Sequence, residues 1–106
     1  MRIKYYYVYI VKCADGSYYT GFTNDPYRRL EEHNSGVYGR SFTFKRRPVV
    51  LVYVKAFSDP LEGIEFEKQV KRWSKAKKEA LIAGDIDLLK LLSRSWNENH
   101  PSSSSG

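Results

Sequence analysis

Aromatic and β-branched residues concentrate in three runs along the chain, and the polar breaks between them set the expected elements. The first run, Tyr5 to Lys12, places Tyr5, Tyr7, Tyr9 and Val11 on one face and Tyr6, Val8 and Ile10 on the other, the two-residue period of a β-strand. Both faces are rich in apolar surface, so this strand is expected at the centre of a sheet, covered on two sides. Beyond Ala14-Asp15-Gly16, the second run, Ser17 to Thr23, closes a hairpin. It contains Gly21, a residue found where a backbone passes close to another group or where packing is tight. The third run, Val49 to Phe57, is the clearest strand and the third member of the sheet.

Two helices are announced by the same device. Asn24-Asp25-Pro26 and Ser58-Asp59-Pro60 each join a capping side chain to a proline, whose fixed φ and missing N–H are harmless at a first helical position. The first helix is expected to reach about Asn34, with Tyr27, Leu30 and Asn34 on one side and Ser35-Gly36 ending it. His33, near its end, is suited to the helix dipole more than to metal ligation. The second spans about Leu61 to Trp73, with Leu61, Ile64, Val70 and Trp73 contributing to its apolar side. Glu67 falls beside or within that stripe, a costly place for a charge, and Lys71 one turn later offers it a salt bridge. Ser74 divides this helix from a shorter one, Lys75 to Ala83, closed by Gly84. Asp85 to Leu92 predicts one or two more amphipathic turns, with Trp96 packing back.

With 106 residues, 42% of them hydrophobic, the chain has material for one core. The expectation is a single domain over residues 1–96 and a disordered low-complexity tail over 97–106. The lone Cys13 lies inside the predicted first strand, where it acts as a small apolar residue and suits a reducing cytosol. No signal-peptide pattern or membrane-spanning run is present, which predicts a soluble, cytoplasmic protein without a membrane partner.

Charge adds a partner. Eighteen Lys and Arg against twelve Asp and Glu give a net charge of +6, a balance that suits nucleic acid or an anionic membrane and is equally compatible with plain solubility. Placement is more informative. From Val37 to Pro48, Arg40, Lys45, Arg46 and Arg47 alternate with Tyr38, Phe42 and Phe44, a mixture suited to phosphates and exposed bases, although the aromatics could equally anchor the loop. Lys68, Lys71, Arg72, Lys75, Lys77 and Lys78 form a second basic segment. The candidate nucleic-acid contacts are Arg40, Lys45, Arg46, Arg47, Lys71, Arg72 and Lys75.

The hairpin holds six tyrosines, residues that serve equally as strand formers and as phenols. Tyr7-Val8-Tyr9, Tyr19-Thr20-Gly21, Arg29 and Glu67, in that order, resemble the signature of the GIY-YIG nuclease superfamily. The resemblance covers about Tyr5 to Ile82. Thr23-Asn24-Asp25, Arg28-Arg29-Leu30 and Glu32-His33-Asn34 bring it closest to the small stand-alone bacterial GIY-YIG proteins.

This resemblance implies an α+β fold, a three-stranded antiparallel sheet flanked by helices, and a metal-dependent endonuclease that hydrolyses phosphodiester bonds. The substrate it implies is DNA ahead of RNA, at structured or damaged sites or under a partner protein's direction. The implied catalytic residues are Tyr9, Tyr19, Arg29 and Glu67. Glu67 would carry one Mg²⁺ or Mn²⁺, weakly bound before substrate because a lone carboxylate needs phosphate and water to complete the shell. Arg29 would neutralise charge on the scissile phosphate, Tyr9 would orient or deprotonate the attacking water or hand its proton to another base, and Tyr19 would hold the phosphate or nucleophile.

Hairpin register is a test of these roles. A two-residue Asp15-Gly16 turn would set Tyr9 against Phe22 and leave Tyr9 and Tyr19 on opposite faces. A three-residue Ala14-Asp15-Gly16 turn with Gly16 left-handed sets Tyr9 against Gly21 and both phenols on one face, and this bulged form is the one expected. The sequence also departs from the family: Tyr7 stands where many members have glycine, Thr20 replaces isoleucine, and Lys77-Lys78-Glu79 occupies a region where some members carry an asparagine. The alternatives are a nucleic-acid-binding module with the same fold that cleaves poorly, and a structural or protein-interaction domain that leaves the basic surface unexplained.

Overall fold

The computed structural model describes residues 4–37 and 39–99, the side chains of 95–99 excepted. The fold is α+β: strands β1 (Tyr6–Lys12), β2 (Tyr18–Thr23) and β3 (Val50–Phe57) with helices α1 (Pro26–Ser35), α2 (Pro60–Lys71), α3 (Lys75–Ala83) and α4 (Ile86–Asn99). The strands form one antiparallel sheet in the order β2-β1-β3. The strand with two apolar faces is therefore the central one, and Val8, Tyr9, Ile10 and Val11 are completely buried.

The hairpin takes the bulged register. Tyr9 lies opposite Gly21 and Val11 opposite Tyr19, while Gly16 has φ +86 and donates its N–H to the Cys13 carbonyl. Cys13 falls just beyond the end of β1, not within it, and is buried beside Val11 and Val49. Between β1 and β3 the register shifts at Ile10/Val11, so Ile10 faces Tyr53 but Val11 faces Leu51. The irregularity keeps both Leu51 and Val54 on the face that carries Tyr9.

The chain divides into two compact units, Met1–Arg72 and Trp73–Gly106. In the first, α2 lies on the face opposite Tyr9, where a Cβ on Gly63 would press on the Phe22 ring at 2.6 Å and meet Phe57. Its buried positions are Gly63 and Val70. Leu61, expected on the apolar side, is 70% exposed because the close approach at Gly63 points the neighbouring turn toward water. In α1 the buried side is likewise rotated from the expected one. Tyr27 is 70% exposed, while Pro26 and His33 are buried and Leu30 packs on the Tyr9 cluster. Burial costs His33 little, because both ring nitrogens find partners inside.

Asp25 caps α1, its carboxylate accepting from the Arg28 N–H, and Gly36 ends it at φ +81. Asn34 then joins α1 to β3: its Nδ2 donates to the Val49 carbonyl at 2.9 Å and its Oδ1 accepts from the Val49 N–H at 2.7 Å. The intervening loop contains a 3-10 turn, Phe44–Arg46.

In the second unit, α3 starts at a Ser74 cap and ends at Gly84 in the left-handed region, both as expected. Lys77 lies over the Trp73 ring. The last helix is longer than the one or two turns expected and runs to Asn99, with Ile86, Leu88 and Leu91 exposed. The Trp96 side chain and residues 100–106 of the expected tail lie outside the description.

Candidate active site

Tyr9, Tyr19 and His33 meet on one face of the sheet. The pleat sends Tyr9 and Tyr19 to the same side once the hairpin is bulged, and the second half of α1 brings His33 over them. Ring centroids are separated by 6.4 Å for Tyr9 and Tyr19, 6.1 Å for Tyr9 and His33, and 5.2 Å for Tyr19 and His33. Gly21 makes the arrangement possible, since a Cβ there would collide with the Tyr9 phenol ring, including its hydroxyl. The expectation of a close approach at Gly21 is thus met, and the group approached is Tyr9 itself.

Tyr9 is 0% exposed, and its hydroxyl lies 3.0 Å from His33 Nε2. On the other side of the ring, His33 Nδ1 lies 2.7 Å from Thr43 Oγ1, which is also fully buried and 3.0 Å from Ser41 Oγ. Burial, and then the positive charge of Arg29, push the His33 pKa below its ordinary value, against a smaller opposing effect of Glu32. The imidazole is therefore neutral at neutral pH, with one ring nitrogen protonated and the other a hydrogen-bond acceptor. His33 and Thr43 are the site residues that sequence reasoning missed. A usable signal existed for His33: it follows Arg29 by one helical turn, so the two share a face.

Arg29 is half-buried on α1, close enough for its charge to act on His33. Glu67 is also withdrawn from solvent, its side chain 16% exposed, and it pairs with Lys71, 49% exposed, at 3.3 Å. Lys71 Nζ in turn lies 6.0 Å from the Tyr19 ring centroid, so the ion pair reaches the tyrosine cluster through the lysine. The salt bridge anticipated for Glu67 is present. Among the described residues no three His, Cys, Asp or Glu side chains gather as a metal site. A cation would rest on Glu67 with phosphate and water. A hard carboxylate oxygen largely withdrawn from solvent fits that use, although the bond to Lys71 competes for it.

The basic residues divide by what they already do. Arg40 and Lys45 are exposed. Arg46 is partly committed to the fold: its Nε bonds Asp15 at 3.0 Å, its NH1 bonds the Phe42 carbonyl, and its guanidinium covers the Phe42 ring at 3.9 Å. Arg47 similarly donates to the carbonyls of Phe44 and Asn34 and covers the Phe44 ring. The loop aromatics thus anchor as well as alternate with the cations; Phe42 stacks on Tyr19 at 6.2 Å and leaves its other side to Arg46 and solvent. Asn34, Phe44, Lys45, Arg47 and Pro48 line an open groove of about 530 Å³. Lys71 and Arg72 are exposed at the end of α2, and Lys75 is exposed at the start of α3 in the second unit. No described helix is long and apolar enough to cross a membrane.

Comparison with known proteins shows the family. Residues 5–80 match the GIY-YIG catalytic domain. A UPF0213 protein of Bacillus pumilus is 46% identical over 77 residues, covering 73% of this chain and 78% of that protein. One from the archaeon Halobacterium salinarum is 43% identical over 77 residues, 73% of this chain and 99% of its own. The solution NMR structure of a UPF0213 protein from Bacillus halodurans is 44% identical, covers 74% of this chain and 83% of its own, and superposes with a TM-score of 0.50. That of a protein from E. faecalis, 38% identical and covering 78% and 88%, gives 0.54. With its bulged tyrosine hairpin and helical arginine and glutamate, the chain belongs to the GIY-YIG family, a nuclease family, and its relatives are small UPF0213 proteins of bacteria and archaea.

Proposed function

We propose that this protein is a metal-dependent endonuclease of the cytoplasm that hydrolyses phosphodiester bonds in DNA, at structured or damaged sites or where a partner protein directs it. The observation that carries the reading is the buried phenol of Tyr9, 3.0 Å from the nitrogen of a histidine whose pKa is lowered, beside a half-buried arginine. A buried phenol needs an acceptor in any role, and an imidazole is one that can also take its proton.

The geometry supports a role for each residue. His33, neutral, accepts the proton of Tyr9 or holds it while the phenolate oxygen takes one from the attacking water. Because Tyr9 is enclosed by Tyr19 and His33, productive binding has to draw the Tyr19 ring aside, and Tyr19 is the phenol that meets the phosphate first. Arg29 offsets negative charge developing on the phosphate oxygens. Glu67 would hold Mg²⁺ or Mn²⁺, which when bound supplies Lewis-acid stabilisation of the leaving oxygen. Lys71, paired with Glu67 and close to Tyr19, holds the carboxylate in place. Arg40 and Lys45 are the loop cations freest to grip the backbone; Arg46, Arg47, Lys71 and Arg72 add to the positive field, and Lys75 of the second unit is a further candidate contact.

One observation favours the alternative, a binding module that cleaves poorly: the Glu67 carboxylate is already engaged by Lys71. Cleavage of labelled duplex, single-stranded and branched DNA, with RNA alongside, in Mg²⁺ or Mn²⁺ separates the two. Glu67→Ala and Arg29→Ala are each expected to lower cleavage by about 100-fold or more. Equal cleavage by wild type and both variants would mark a contaminant and remove the nuclease claim. Salt-sensitive binding without any cutting would establish the module instead.

A further inference from the structure

His33 has a partner on each ring nitrogen, yet a neutral imidazole carries one N–H, so one of the two hydrogen bonds must be donated to the ring. Two proton arrangements satisfy the distances. In one, Tyr9 donates to Nε2 and Nδ1–H donates to Thr43. In the other, Thr43 donates to Nδ1 and Nε2–H donates to the phenol oxygen. A phenol is a much stronger donor than acceptor, because its lone pair is delocalised into the ring, and an imidazole nitrogen is a strong acceptor. This favours the first arrangement.

The loop completes it. Thr43 is fully buried, so its own hydroxyl proton needs an acceptor, and Ser41 Oγ at 3.0 Å provides one when Thr43 accepts from Nδ1. Ser41 is only half-buried and its own proton can reach water. The donors then run in one direction: Tyr9 to His33, His33 to Thr43, Thr43 to Ser41.

We propose that Thr43 and Ser41 are positioning residues that fix His33 as its Nδ1–H tautomer, so that Nε2 is presented to Tyr9 as a proton acceptor. The catalytic consequence rests on the nuclease reading; the tautomer does not. When the proton moves, the Tyr9 O–H bond breaks and an Nε2–H bond forms, leaving phenolate and imidazolium side by side. Arg29 opposes the new cation and Glu32 favours it, while Tyr9 and Tyr19 are the titratable groups facing it from the sheet.

Nitrogen-15 NMR of the full chain reads the tautomer without turnover. The sequence has two histidines, so a His100→Gln variant assigns the His33 signals. Wild type and Thr43→Ser should carry the proton on Nδ1. Thr43→Val, similar in shape but without the hydroxyl, should move it toward Nε2. So should Ser41→Ala, at a half-buried position expected to fold, because the Thr43 proton then has to turn to Nδ1. In cleavage, Thr43→Val and Ser41→Ala should lower kcat about 10- to 100-fold with KM roughly unchanged, and Thr43→Ser should keep activity. A wild-type proton on Nε2, or an unchanged tautomer in both Thr43→Val and Ser41→Ala, would overturn the proposal. Absence of cleavage in wild type, with the tautomers behaving as expected, would overturn the nuclease reading alone.

Discussion

Replacing Gly21 with alanine tests the packing that holds the candidate site together. The new Cβ would overlap the Tyr9 ring, and ordinary carbon–carbon contact requires a retreat of about an ångström. The ring has nowhere easy to go, because Tyr9 is completely buried and its hydroxyl is held by His33. Overpacking of this kind costs about 1–3 kcal/mol, and loss of the Tyr9–His33 bond adds about 1 kcal/mol. The lower chain entropy of alanine in a strand offsets about 0.5–1 kcal/mol. The net expectation is a loss of about 2 kcal/mol, a fall in the urea midpoint of roughly 1–2 M. In a Tyr9→Leu background, where the phenol is gone, the same substitution should be close to neutral, so a double-mutant cycle should show coupling well above 0.5 kcal/mol in size. A neutral or stabilising Gly21→Ala in the wild-type background would refute the close packing of Tyr9 on β2, and with it the role given to Gly21.

Two further expectations concern neighbouring contacts. The His33 pKa is lower folded than unfolded, so the unfolded chain binds the extra proton first; stability should be complete above about pH 6.5 and decline as pH falls from there toward the folded value. Urea melts across that interval should show the decline, and His33→Gln should flatten it. Asn34→Ala removes both bonds to the Val49 backbone and should cost about 1–3 kcal/mol. Hydrogen exchange at the Val49 amide should accelerate, and unchanged protection there would mean the amide clamp contributes nothing.

Much of the fold was legible because its cues are local. Alternation in β1, Asp-Pro starts for α1 and α2, and Ser74 with Gly84 around α3 each reflect one or two residues acting on their own backbone. The hairpin register was also readable, since Ala14-Asp15-Gly16 offers few ways to turn and only one puts two phenols together. Helix faces were less so. Tyr27 and Leu61 are apolar by composition, yet which side of a helix turns inward is settled by what lies opposite, here the sheet surface around Tyr9 and the ring of Phe22. His33 lies near a helix end, as the sequence shows, whereas its contacts with Tyr9 and Thr43 are not legible there, because the two are separated from it by 24 and 10 residues. The length of α4 exceeded its amphipathic signal because polar residues beyond Leu92 weaken the pattern without containing a helix breaker before Pro101.

The Asn34 clamp gives the basic loop a particular freedom. Its amide closes the segment between α1 and β3 at the root, as a neighbouring strand would, so the ends of the loop are held together whatever lies between them. Within the loop, Phe42 stacks on Tyr19, Thr43 sits beneath His33, Arg46 pairs with Asp15, whose neighbour Ala14 donates its N–H to the Arg46 carbonyl, and Arg47 bonds back to Asn34. Replacing the exposed side chains of Arg40 and Lys45 therefore leaves both the sheet and the buried hydroxyls undisturbed. The fold can change what it grips by rewriting the exposed stretches of one tethered loop, while the phenol and imidazole beneath it stay where they are.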